Sequence, residues 1–226
     1  MKILIFTDDT SVKLPTYYKW KVRYSRGIDI RKDPTIISRL NEYKLKIPSN
    51  DIENETQFKK VLHDFVRPAK QMFGGMFNEV RCFAEQELPS FISTQIYFLS
   101  GRYGIISENQ EIIPYISHIS TIAELEVVDK KFDITGKIHS LVDENDIILF
   151  LLPKEYIAHQ IKKGLFEKMT KSNFVIVSSM EFRDYFSQMP NVLLLHRIGV
   201  ARIGIKNRQR IVEYVEEIKK LRTVEN

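Results

Sequence analysis

The chain holds a single cysteine, Cys82, among its 226 residues, so it can form no internal disulfide and no cysteine-rich metal site. Its neighbours Val80, Phe83 and Ala84 read as a helix that buries the thiol. Long apolar runs are missing as well. The longest clear candidate, Ile147 to Leu152, falls far short of the roughly 20 residues that cross a bilayer. The first residues are apolar over too short a stretch for a signal peptide and turn acidic at Asp8 and Asp9. Together these absences predict a cytoplasmic protein that does not enter a membrane. Also missing are the dinucleotide-binding Gly-x-Gly-x-x-Gly, a phosphate loop, His-Glu-x-x-His and the Gly-x-Ser-x-Gly elbow. The histidines at 63, 118, 139, 159 and 196 are scattered without ligand-like spacing. That argues against zinc chemistry, so no metal site is expected, and the cofactor is left unassigned.

What is present is an ordinary globular composition, 43% hydrophobic and 28% charged, with a net charge of +5. The charge is uneven. Residues 1–50 hold 11 Lys/Arg against 5 Asp/Glu, and residues 196–226 hold 8 against 4. The remaining stretch holds 15 (34 − 11 − 8) against 20 (29 − 5 − 4), so basic ends flank an acidic middle. Such ends suit a polyanion, or they are simply solvated.

The chain reads as strands alternating with helices. Lys2–Phe6, Gln95–Leu99, Asp146–Leu152, Asn173–Ser178 and Asn191–His196 are apolar without strict alternation, as in strands buried on both faces. Helices are expected from Glu55 (Phe58, Val61, Leu62, Phe65) and over Met76–Leu88, Thr135–Val142, Glu155–Lys168, Met180–Gln188 and Asn207–Leu221. Residues 10–50 carry four Pro or Gly breaks and read as an irregular or β-containing insertion. Within it, Lys19-Trp20-Lys21-Val22-Arg23-Tyr24 alternates as a half-buried strand with one basic face. The expectation is a single α/β domain over 1–226, with a mostly parallel sheet covered by helices on both faces.

Open α/β sheets place ligands at the carboxyl ends of their strands. Two such ends stand out. Phe98-Leu99 runs into Ser100-Gly101-Arg102-Tyr103-Gly104, with Pro114-Tyr115 downstream, and Lys2–Phe6 runs into Thr7-Asp8-Asp9. The first offers glycines for close approach and two tyrosines with flat faces and polar tips; its bland alternative is a demanding turn. Asp8 and Asp9 offer a general base or a ligand for a metal or a ribose hydroxyl, or else a helix cap or turn. A third feature is the loop from His196 into the last helix, where Arg197, Arg202, Lys206 and Arg208 gather positive charge at a helix N-terminus. That charge calls for a compensating anion, either external or an internal carboxylate. Lys19, Lys21 and Arg23 complete the candidate nucleic-acid surface.

Ser100-Gly101-Arg102-Tyr103-Gly104 with Pro114-Tyr115 resembles the Ser-Gly-x-Tyr-Gly…Pro-Tyr signature of the peroxide-stress YaaA family, and of related α/β domains reading Ser-Ala-x-Tyr-Gly. The Phe73-Gly74…Phe77…Arg81 block is similar to the pattern preceding that strand in the relatives, and Ile148–Leu151 with Glu155-Tyr156 echoes a third block. Where YaaA proteins carry Ser-Pro-Ala-Lys after the first strand, this chain has Thr7-Asp8-Asp9-Thr10-Ser11. The resemblance implies a DNA-binding stress protein, hence association with DNA or RNA. The alternative is an enzyme acting on a nucleotide or nucleobase in the strand-end crevice.

Overall fold

A computed structural model of the chain describes residues 1–14, 27–142, 145–169 and 172–224. Among them run eight strands: β1 (Lys2–Asp8), β2 (Arg67–Pro68), β3 (Ser93–Ser100), β4 (Gly104–Ser107), β5 (Glu111–Ile112), β6 (Ile147–Leu151), β7 (Asn173–Ser178) and β8 (Val192–His196). Ten α-helices accompany them: α1 (Pro34–Glu42), α2 (Glu55–Val61), α3 (Ala69–Met72), α4 (Phe77–Cys82), α5 (Ile122–Phe132), α6 (Ile134–Val142), α7 (Lys154–Lys162), α8 (Leu165–Lys168), α9 (Arg183–Phe186) and α10 (Ile205–Val224). Six strands form one sheet in the order β4-β3-β1-β6-β7-β8, parallel but for one strand, and β2 pairs with β5 separately. The expected α/β architecture is therefore present.

Backbone contacts divide the chain into two units. The first comprises Met1–Thr7, Glu79–Tyr97 and Thr135–Asn226, and we call it the β6–β8 unit. Its strands run parallel in register, with Ile5 opposite Leu149, Leu149 opposite Val175 and Val175 opposite Leu193. Every residue of β6 is buried, as its unbroken apolar sequence requires when both faces are covered. Phe150 stacks on Phe6 and on Phe174, with ring centroids 5.2 and 6.1 Å apart.

The second, the hairpin unit, comprises Asp8–Asn78 and Phe98–Ile134. Only Gly101–Tyr103 separate β3 from β4, too few residues for a parallel crossover, so the two form an antiparallel hairpin. Gly104 opens β4 with φ +74°, and a Cβ there would lie 2.5 Å from that of Phe132 on α5. Only glycine meets both demands.

Several expectations need correction. The stretch read as an irregular insertion contains α1. Pro34 starts that helix, where its missing N–H costs nothing, and the Asp33 side chain accepts from Ile36 N at 3.0 Å. Ile36 and Leu40, one turn apart, are buried. Helix α5, β4 and β5 were not expected at all. Thr121 and Glu124 form a capping box at the start of α5, where a narrow buried stripe of Leu125 and Val128 hid the helical period. The helix expected over Glu155–Lys168 breaks into α7 and α8 at Gly164, whose φ is +67°. Beyond α4 the chain closes with a π-helical turn over Phe83–Glu87, and Cys82 is half-buried instead of buried. The basic strand expected at 19–24 lies outside the described residues.

Candidate functional site

In the hairpin unit Asp9 directly follows β1, and its N–H donates to Leu99 O at 3.0 Å, fixing the loop beside the end of β3. The Asp9 carboxylate is fully buried. Tyr115 Oη donates to Asp9 Oδ2 at 2.6 Å and lies 2.7 Å from Ser100 Oγ. A carboxylate can only accept, so the tyrosine proton is committed to Asp9 and the serine hydroxyl donates to Tyr115. Ser100 Oγ in turn accepts the N–H groups of Arg102 and Tyr103 at 3.2 and 3.3 Å. The result is a directed chain of hydrogen bonds ending on Asp9. Burial, and then the Asp9 charge, push the Tyr115 phenol well above its ordinary range.

His118 approaches the other oxygen of that carboxylate, Nδ1 lying 3.4 Å from Asp9 Oδ1. With Nδ1–H donating, Nε2 keeps its lone pair. The His118 side chain is 44% exposed, so this ring joins a buried acid to a solvent-accessible surface. Its hydrogen bond to Asp9 raises the imidazole pKa, against the opposing effect of partial burial.

Lys13 is the third titratable group. It is 3% exposed, donates from Nζ to Thr10 O, and sits 4.3 Å from the Tyr115 ring centroid. Burial lowers its pKa, only partly offset by the charge on Asp9. Lys13, Tyr115, Ser117 and His118, with the exposed ion pair Asp29–Arg31, line a cavity of ≈ 410 Å³. That volume falls within the range of small-molecule sites, about 300–1,000 Å³.

The remaining residues of the Ser100–Tyr115 signature are buried support. Tyr103 packs edge-on against Tyr115 with centroids 5.4 Å apart, donates to Glu55 Oε1 at 2.9 Å and accepts from Ile113 N. The wholly buried Arg102 side chain binds Asp51 at 2.7 Å, Glu55 at 2.9 Å and Ser49 O at 2.6 Å. It thereby ties the 49–55 segment to the hairpin. A Cβ on Gly101 would lie 2.6 Å from Ser117 Oγ, so this glycine permits the close approach of the cavity-lining segment. Pro114 and Asp8 are buried. Ser100, Tyr103, Tyr115 and Asp9 thus lie together, but of the residues expected to bind a ligand only Tyr115 appears in this cavity's described lining.

The arginines around α10 have different surroundings. Glu79, 4% exposed, accepts the N–H groups of Arg202 and Gly204 at 2.8 Å and of Ile203 at 3.4 Å, and pairs with Arg208 at 3.4 Å. Burial opposes its ionisation, but these donors outweigh it and hold the carboxyl below its usual range. Glu79 is therefore the internal carboxylate at the helix start. Arg202 is buried and donates to Thr7 Oγ1, Arg208 also pairs with Glu87, and Lys206 is exposed on α10. Arg197 follows β8 and lines a second cavity. Lys19, Lys21 and Arg23 lie outside the described residues.

Sequence reading missed Lys13, His118 and Glu79. His118 carried no usable signal: buried Tyr115, Ser117 and Ile119 alternate with exposed Ile116 and His118, but polar Ser117 is buried and apolar Ile116 exposed, so the residue types hide the alternation. Among the described residues no helix is long and apolar enough to cross a membrane. No protein-family model and no curated protein matches this chain.

Proposed function

We propose that the hairpin-unit cavity binds a small polar ligand of nucleobase or nucleotide type and performs acid–base chemistry on it. The observation that supports this most is the Asp9–His118 pair, a fully buried carboxylate holding Nδ1 of a half-exposed histidine at 3.4 Å beside a cavity. In this reading Asp9 fixes the tautomer, leaving Nε2 to take a proton from a ligand N–H or O–H. The imidazolium so formed is stabilised by Asp9. Lys13 supplies a buried amine beside the cavity, and its burial favours the uncharged form that accepts a proton.

Kinship with the YaaA family remains part of this proposal, supported by the joint placement of Ser100, Tyr103 and Tyr115. Association with DNA or RNA rests on the basic ends alone. Of the cations nominated for it, Arg202 is buried and Arg208 is engaged with Glu79 and Glu87. Native mass spectrometry of the purified protein with nucleobases, nucleosides, nucleotides and short oligonucleotides tests the choice. A ligand retained by wild type and lost from His118→Ala supports the proposal. Retention of oligonucleotides alone, or of ligands equally by the variant, defeats it.

A further inference from the structure

The β6–β8 unit holds a second cavity, ≈ 370 Å³, at the carboxyl ends of its three last strands. Pro153 and Lys154 follow β6, Ser178 ends β7 and Ser179 follows it, and His196 ends β8 with Arg197 after it. All six line the cavity, and no Asp or Glu is among its described lining residues. Lys154 pairs with Glu181 at 3.9 Å, and both side chains are at least half exposed, so this pair is weak.

The inner wall is the informative part. Ser178 is completely buried, yet its Oγ has no hydrogen-bond partner among the described residues. Its backbone is used normally, the carbonyl accepting from Arg197 N at 2.8 Å. A buried hydroxyl without a partner is destabilising, a cost that a ligand oxygen relieves. Ser179 Oγ accepts from Glu181 N at 3.4 Å, which leaves its hydroxyl proton free to donate outward. Gly199, at φ +60°, turns the chain after Arg197 and also lines the cavity.

We propose that this cavity is a binding site for a tetrahedral oxyanion, the phosphate of a phosphomonoester or free inorganic phosphate. The site is independent of the acid–base cavity in the hairpin unit. Arg197 supplies the forked guanidinium, Lys154 a point charge, and the serines the hydroxyl donors from the strand ends. A cation is disfavoured by the same charges, and an apolar ligand would leave Ser178 without its partner.

The test is a ¹H–¹⁵N NMR titration of the full chain with inorganic phosphate and, separately, with adenosine 5′-monophosphate, at constant ionic strength set by chloride. The proposal expects saturable shifts at the amides of Ser178, Ser179 and Gly199 with at least one of the two. Tighter binding of the nucleotide at these amides identifies a phosphomonoester, and equal binding identifies the phosphate group alone. Arg197→Ala should weaken binding about tenfold or more, and Ser178→Ala several-fold. If Arg197→Ala fails to fold, the location of the wild-type shifts still decides. Absence of saturable shifts with both ligands, shifts confined to other residues, or shifts unaltered in a folded Arg197→Ala variant would overturn the assignment.

Discussion

Two buried carboxylates, one in each unit, have opposite surroundings. Glu79 is held by three backbone N–H groups and Arg208. None of these gives up a proton near neutral pH, so Glu79 is a permanent charge that organises the start of α10. Asp9 is held by the Tyr115 hydroxyl and a histidine, and a buried lysine stands nearby. Of these, His118 has its pKa raised and Lys13 has its pKa lowered, while the Tyr115 phenol keeps its proton. Burial of a carboxylate therefore does not mark a reactive site. What separates the two is that Asp9 is met by a half-exposed imidazole beside a cavity, and Glu79 by backbone N–H groups and an arginine.

The contrast can be broken most forcefully at Glu79. Glu79→Ala strands several buried N–H donors and should cost about 3–4 kcal/mol, read as a fall in urea midpoint. A loss below about 1 kcal/mol would mean that Glu79 is not the anchor described. Tyr115→Phe removes one donor to a charged acceptor and should cost about 2 kcal/mol by the same measurement. A neutral outcome would show that the Ser100–Tyr115–Asp9 chain holds nothing in place.

Lys13→Met sharpens the comparison in the other direction. Replacing a buried amine by an apolar chain of similar length should be neutral or stabilising by about 1 kcal/mol, while ligand binding in the cavity is lost. Marked destabilisation with binding intact would make Lys13 structural.

The smallest effect is the dependence of stability on pH, and its two contributions oppose each other. His118 has a raised pKa in the folded state. Its contribution is fully present below about pH 6.5, the unfolded value, and is lost as pH rises through the folded pKa. His118→Gln should flatten that loss. Lys13 has a lowered pKa, so the unfolded chain binds more protons between the folded value and about 10.4. Stability should rise with pH across that window, and Lys13→Met should abolish the rise.

The parallel strands were legible because β6 and β7 are apolar almost throughout, and the Ser100–Tyr115 stretch announced itself through its glycines and tyrosines. Much of that stretch is scaffolding: Arg102 and Tyr103 look outward as sequence letters but are buried against Asp51 and Glu55. The groups facing the cavity were not legible. Lys13 lies in a loop without periodicity, and His118 meets Asp9 from 109 positions away, a separation that no local pattern bridges. Glu79 reaches the start of α10 from 125 residues away, so the charge excess of that loop looked unbalanced in one dimension.

The most direct measurement is the NMR titration of the His118 imidazole in wild type and in Asp9→Asn. The Asp9–His118 account predicts a wild-type pKa above about 6.5 that falls towards or below that value in the variant, with the other histidines unmoved. A wild-type His118 that titrates normally, or one whose pKa ignores the loss of the Asp9 charge, would contradict it.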